Sequence, residues 1–322
     1  MKAILKVPTS PAALALGLLL LLVPAGCRRG EPGTYDSPEK AVEAFNALIG
    51  TGDAARRDEM FGANSADLFQ SGDEADDKAA GQTVKALIAE KVAFEEVDAN
   101  TRVALFGAKG WPFPIPLVKQ GERWRFDTEA GRDELINRRV GFNELSTLHS
   151  LHEYVEAQRE YATEGRDGNP AAFAQKFLSS PGKHDGLFWP AVEGEPESPL
   201  GDLLAEAALE KAREASPQPF NGYMYRILTA QGKLAPGGEQ SYLNAKGHLT
   251  GGFGAIAWPV KYGSSGVMSF VVNQRGIVFE KDLGADTESA AAGITAFDPD
   301  DSWVPTPDTL AIIEDEAGEG PF

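Results

Sequence analysis

The order of apolar and polar positions divides the chain into stretches of different period. Ala12 to Val23 is apolar throughout apart from Gly17 and follows Lys2 and Lys6. Further on, Ala41, Val42, Phe45, Leu48 and Ile49 recur at helical spacing, with Ser37 as cap, Pro38 in the first position and Gly50 and Gly52 as a stop. Asp53 is placed to cap a second helix, and Asp77 to Val92 reads as another. A strand is expected around Arg102 to Phe106. In WPFPIPLV, Pro112, Pro114 and Pro116 recur at period two. One side of that backbone therefore has no donors, and the segment must be an edge strand or an extended loop. Gln120 and Gly121 suit a tight turn into ERWRF, where Trp124 and Phe126 share one face and Arg123 and Arg125 the other.

Thr128 to Tyr161 is the strongest helical pattern, with Gly141 as a candidate bend. Leu145, Leu148, Leu151, Val155, Gln158 and Ala162 form a broad stripe, and Glu144, Glu153, Glu156 and Glu160 fall largely off it. Such a stripe needs a partner surface. Strand patterns beginning at Tyr223, Gln240, Gly254, Val267 and Ile277 supply an antiparallel sheet, its last two strands joined at Asn273 to Gly276. The class predicted is α+β. Residues 37–129, helices followed by a curved sheet, resemble the nuclear transport factor 2-like or cystatin cone. Residues 130–303, a long helix followed by an antiparallel meander, resemble the globular half of type IV pilins and pseudopilins, without the apolar N-terminal half-helix that packs a pilus. Gly131 to Gly141 is expected to join the two cores. Residues 304–322, rich in Pro, Asp, Glu and Gly, read as an acidic mobile tail.

At 12 residues the first apolar run is shorter than the roughly 20 that a membrane span needs. Residues 1–26 read as a secretory signal. VPAGC, with small Ala25 and Gly26 before Cys27, resembles a bacterial lipobox, although Pro24 stands where Leu is usual. That resemblance implies a diacylated Cys27 at the mature N-terminus; an ordinary cleaved signal and an uncleaved anchor are the alternatives. Residues 27–36 would form a tether, and the lack of Asp after Cys27 resembles outer-membrane lipoproteins. Cys27 is the only cysteine, so the mature domain has no internal disulfide.

Composition changes the picture in one respect. A chain 42% hydrophobic and 24% charged is ordinary for a globular protein and excludes collagen-like, coiled-coil and wholly disordered classes. The net charge of -18 argues against a partner made of nucleic acid and against non-specific adhesion to anionic lipid.

Each chemical constellation has a plainer alternative. His149, His152 and Glu156 have the spacing of metal ligands on one helix flank, yet each can also face solvent or border the stripe, and no metal is expected. His184 and His248 lie in turn-like segments. GFGAIA matches a dinucleotide fingerprint only as a string, because it runs into a strand pattern instead of opening a helix. GSSG at Gly263 to Gly266 lacks the form of a nucleophile elbow. FDPDDSW offers clustered carboxylates without the glycine and glutamate of a calcium loop. No catalytic residue and no cofactor is assigned. The aromatics Tyr223, Tyr225, Trp258, Tyr262 and Phe270 read as core beneath the long helix, or else as a recognition surface in which Tyr223, Tyr225, Arg226, Trp258, Lys261 and Tyr262 gather at a loop rim.

NGYMYRILTAQGKLAPGG, GGFGAIAWPVKYGSSGVMSFVVN and GIVFEKDLG, with WPFPIPLVKQGERWRFDTEAG and YVEAQREYA, resemble the blocks of the bacterial domain of unknown function 2950 family. The resemblance spans nearly all of the mature chain and implies an exported bacterial protein, frequently a lipoprotein, without a transferable catalytic set. The function expected is a non-enzymatic binding or assembly module of the bacterial envelope. It would be held to the membrane by a lipid anchor, face the periplasm in a Gram-negative host and meet other envelope proteins. The alternative is a small-molecule-binding protein or hydrolase with its pocket in the first domain.

Overall fold

The computed structural model describes residues 33–192, 194, 196–200, 219–307 and 309. The expected signal segment and Cys27 lie outside these residues. The described chain belongs to one compact unit, and it is an α+β protein with two five-stranded antiparallel sheets and a two-stranded ribbon.

Local chemistry sets the first elements. In α1 (Pro38–Leu48) the Ser37 hydroxyl accepts from Lys40 N–H, and the apolar positions Ala41, Val42, Phe45 and Leu48 are buried. Asp53 caps α2 (Ala54–Phe61) through Arg56 N–H. After the short α3 (Ala66–Phe69), α4 runs Glu74–Glu90, three residues ahead of the predicted start. The reason is Asp73, whose carboxylate accepts from the Ala75 and Asp76 N–H groups, while Glu74, Asp76 and Asp77 suit the positive end of the helix dipole.

The first sheet comprises β1 (Val92–Asp98), β2 (Thr101–Phe106), β3 (Trp111–Pro112), β4 (Leu117–Gln120) and β5 (Arg123–Phe126), in the order β1-β2-β4-β5, with β3 also on β2. β1 was not foreseen, because its acidic sequence VAFEEVD hides a weak alternation. The proline segment divides as the missing donors require: Trp111 and Pro112 pair with β2, the Phe113 N–H still donates to the Ala104 carbonyl, and Pro114 to Pro116 leave the ladder. β4 and β5 meet at a two-residue turn of Gly121 and Glu122, one position later than predicted, with Gly121 at φ +63°. α1, α2 and α4 pack on one face of this sheet. Phe45, Phe61, Phe113 and Phe126 fill the space between, with ring centroids 4.9–6.0 Å apart.

The helix α5 (Thr128–Tyr161) then runs unbroken for 34 residues. Its Leu135 and Ile136 close the first core, and Leu151, Tyr154, Val155 and Tyr161 enter the second. The stretch between Gly131 and Gly141 is helix, and α5 passes through it from one core to the other. Leu145, assigned to the buried stripe, is 70% exposed, because the inward side of those turns is taken by Asn143, Thr147 and Ser150.

The second sheet has the order β12-β11-β10-β9-β6, from β6 (Tyr223–Leu228), β9 (Gly254–Pro259), β10 (Met268–Asn273), β11 (Val278–Asp282) and β12 (Val304–Pro305). The expected strand at Gln240 is not part of it. β7 (Ala230–Gln231) and β8 (Gln240–Ser241) form a separate ribbon, since Asn244 turns the chain by accepting from the Lys246 and His248 N–H groups. α5 covers one face of the main sheet. α6 (Thr287–Gly293) and the segment to Trp303 cover the other, around Leu228, Ile256, Val271 and Phe297. The acidic tail does not start at residue 304: Val304 and Pro305 pair with β11, and the Thr309 hydroxyl accepts from Val278 N–H.

Two glycines on α5 make opposite predictions. A Cβ at Gly131 would sit 2.5 Å from Ile115 Cα and from the Pro114 carbonyl oxygen, whereas at Gly141 nothing lies within 4 Å. Gly131→Ala should cost about 1–3 kcal/mol by overpacking. Gly141→Ala should stabilise by up to about 1 kcal/mol through helix propensity. Chemical denaturation of the two variants measures both signs.

Candidate functional site

The six residues assigned to a recognition surface do not converge. Cross-strand register sends Tyr223 and Tyr225 toward α5, and Arg226 and Trp258 to the opposite face. Tyr223 is fully buried, and its hydroxyl donates to the Met268 carbonyl at 2.8 Å. The Tyr225 hydroxyl reaches Thr147 Oγ1 at 3.3 Å, and burial pushes it up to about 12. Ala255 and Ala257 do lie beneath the helix, but Trp258, expected there with them, faces away and carries the Arg226 guanidinium 5.5 Å over its ring. Arg226 in turn donates to the Ala291 and Ile294 carbonyls at the C-terminal end of α6, both at 2.6 Å. Lys261 is exposed, and the Tyr262 hydroxyl contacts Asp282 at 3.1 Å. Alternation along the strands, a property of the sheet, splits the set.

The serines of GSSG are joinery. Arg139 of α5 donates to the Ser264 carbonyl and hydroxyl, both at 2.8 Å, and to the Asp67 and Leu68 carbonyls at 3.0 Å. One turn on, the Asn143 amide donates to the Ser265 carbonyl at 2.9 Å. A Cβ on Gly222, at φ +71°, would strike Asn143, and the Gly222 N–H donates to Asp73. This buried polar seam ties the α3–α4 loop, α5 and the second sheet.

Of the other motifs, GFGAIA forms strand β9 and its approach. In FDPDDSW, Asp298 accepts from Leu234 N–H and Asp300 from Ser302 N–H. His149 is paired with Glu153 at 3.1 Å and Glu156 with Arg159 at 2.6 Å, on the wall of a cleft of 530 Å³. Among the described residues no three His, Cys, Asp or Glu side chains gather to hold an ion.

The more organised cleft lies where the chain leaves α5. It has a volume of 370 Å³ and is lined by Tyr161, Arg166, Asp167, Lys176, Asp185 and His248, among others. Arg166 is held between two rings, 5.0 Å from the Tyr161 centroid and 5.2 Å from that of Trp189. Its side chain is only 10% exposed, one end pairs with the exposed Glu164 at 3.3 Å, and its Nε is buried without a hydrogen-bond partner. Asp167, at φ +51°, accepts from His184 N–H at 2.7 Å, and the His184 ring lies 4.5 Å from Trp189. Behind the cleft, Gln158 both donates to and accepts from the Ala174 backbone. Burial alone would raise the Asp185 carboxyl. Hydrogen bonds from Lys176 and from the Ser180 N–H and hydroxyl outweigh it and hold Asp185 down at about 2.

Sequence reasoning left Arg166 and Asp167 unmentioned and assigned His184 and His248 to unrelated loops. EGRDGNP carries no signal beyond a polar turn; the site exists because Trp189 and the loop around His248 return to the end of α5.

An α+β chain with these two sheets and clefts can now be placed. The family model described as protein of unknown function (DUF2950) matches residues 33–306, and the chain belongs to that family. No curated protein and no solved structure matches it. Among the described residues, no helix is long and apolar enough to cross a membrane.

Asp185 gives the cleft a pH signature. Its folded value lies below the ordinary 3.8, so its contribution to stability is full above that pH and is lost as the pH falls toward about 2. Melting curves of wild type and Asp185→Asn should differ at neutral pH and converge across that window. A constant difference would refute the ion pair.

Proposed function

We propose that this protein is a lipid-anchored, non-enzymatic binding module of the bacterial envelope whose ligand site is the Arg166 cleft. The observation that carries the binding role is Arg166 itself. A guanidinium fixed between two aromatic rings on the wall of a cleft is a prepared partner for a carboxylate or phosphate group. The surrounding ionisable groups support binding over catalysis. Asp185 stays an anion at every physiological pH and is engaged by Lys176, whereas a general acid or base needs a value near the working pH. The pocket that an enzyme in the first domain would need coincides with the space that Phe45, Phe61, Phe113 and Phe126 occupy, which favours the same choice.

The envelope location rests on Lys2, Lys6, the apolar run and the small residues before Cys27. The long helix lying on an antiparallel sheet supports the pilin-like reading of the second half, and the helices on one face of a five-stranded sheet support the cone-like reading of the first.

Two experiments test the proposal. Cys27→Ser should abolish labelling by a palmitate analogue in a bacterial host, and equal labelling of both forms would remove the anchor. Malonate and inorganic phosphate should raise the melting temperature of the wild-type protein and not that of Arg166→Gln. Identical responses of the two proteins would remove the site.

A further inference from the structure

The first sheet carries helices on one face only, and its other face mixes half-buried apolar residues with charged ones. Strand register places Val103, Leu105 and Val118 on that outer face, with Arg123 and Arg125 at its β5 side and Glu95 at the opposite, β1 side. Among the described residues, none of the three apolar side chains joins a hydrophobic cluster. An antiparallel sheet with one solvated face normally alternates to polar residues there.

The entry of the chain indicates what covers this face. Tyr35 exchanges backbone hydrogen bonds with Trp124 of β5, at 2.7 and 2.8 Å. Arg123 donates to the Thr34 hydroxyl and carbonyl, at 3.0 and 2.7 Å, and pairs with Asp36. The chain is therefore clamped to the β5 edge from Thr34 onward. From Cys27 to Thr34 there are seven residue steps, which reach about 25 Å when fully extended. A lipid on Cys27 keeps this edge, and with it the outer face, close to the bilayer.

Charge selects the orientation within that reach. Strand register puts Arg125 and Arg123, the latter already paired with Asp36, on this face against Glu95, in a chain of net charge -18, and Arg28 and Arg29 lie on the leash itself. Screening confines attraction to charges within about 10 Å of the surface. An anionic bilayer thus attracts the β5 side and repels most of the remaining protein. We infer that the outer face of the first sheet is apposed to the anionic bilayer surface, with Arg125 at headgroup phosphates and Val103, Leu105 and Val118 against the interface. The inference rests on the lipid-anchor reading of Cys27.

The test supplies the anchor chemically, so that it does not depend on whether cells acylate the chain. Cys27, the sole cysteine, is coupled in the mature protein to a maleimide lipid in phosphatidylglycerol vesicles carrying a headgroup quencher. A fluorescent amino acid replaces either Gln120, on the outer face, or Leu234, which is 63% exposed on the loop after β7. Quenching should be several-fold stronger at Gln120. The double variant Val118→Glu, Arg125→Glu, checked for an unchanged melting temperature, should bring the two positions to near equality. Equal quenching in the wild-type background would overturn the inference, as would a bias that persists in the double variant, because the leash alone would then explain it. Loss of the palmitate signal on Cys27→Ser reports separately on the natural anchor.

Discussion

A single helix has to serve two hydrophobic cores. At 34 residues α5 extends about 51 Å, longer than either sheet needs. Its first turns close the aromatic core of the first half through Leu135 and Ile136, and its last turns press Leu151, Tyr154 and Val155 onto the second sheet. Between these apolar ends the helix is polar on its inward side. Arg139 and Asn143 there bond backbone and hydroxyl groups of loops from both halves, and Thr147 accepts from the Tyr225 hydroxyl of β6. Each of these partners would be left unsatisfied if the helix rotated or slid, at a cost of about 1–3 kcal/mol per buried group. Directional bonds therefore fix the register of the two cores, whereas apolar packing alone would tolerate displacement.

The same constraint positions the cleft. Because α5 is held along its length, its C-terminal end presents Tyr161 at a defined place, and the chain leaves through Arg166 and Asp167 toward the segment that returns as Trp189. Arg166 is thus desolvated by two rings that come from different parts of the chain. Its neighbours are tied in pairs, Lys176 with Asp185 and Asp167 with the His184 backbone. The result is a charge-rich hollow in which two rings fix Arg166.

At the other end, the order of attachment gives the first sheet its unequal faces. Helices α1, α2 and α4 supply apolar cover to the face carrying Ala104, Phe106 and Phe126. Thr34 and Tyr35 are bonded to Arg123 and Trp124 at the β5 edge of the same sheet.

Elements whose signals are local were legible in the amino-acid order. Ser37 and Asp53 cap the helices predicted from them, Thr128–Tyr161 is helical over its predicted length, and Asn273–Gly276 closes the hairpin of β10 and β11, because caps, helical periodicity and turn residues act over a few positions. The α+β class and the family were legible for the same reason. Tertiary structure alone decided which face each side chain meets. Tyr223 and Trp258 look equivalent along the chain, yet they lie on opposite sides of one sheet, because pairing of β6 with β9 fixes their sides and α5 and α6 then cover one each. Likewise nothing in EGRDGNP distinguishes Arg166 from any other arginine in a polar turn. Its cation–π contacts and its desolvation arise only when Trp189 packs back against the end of α5, since burial is a property of what surrounds a residue and not of the residue itself.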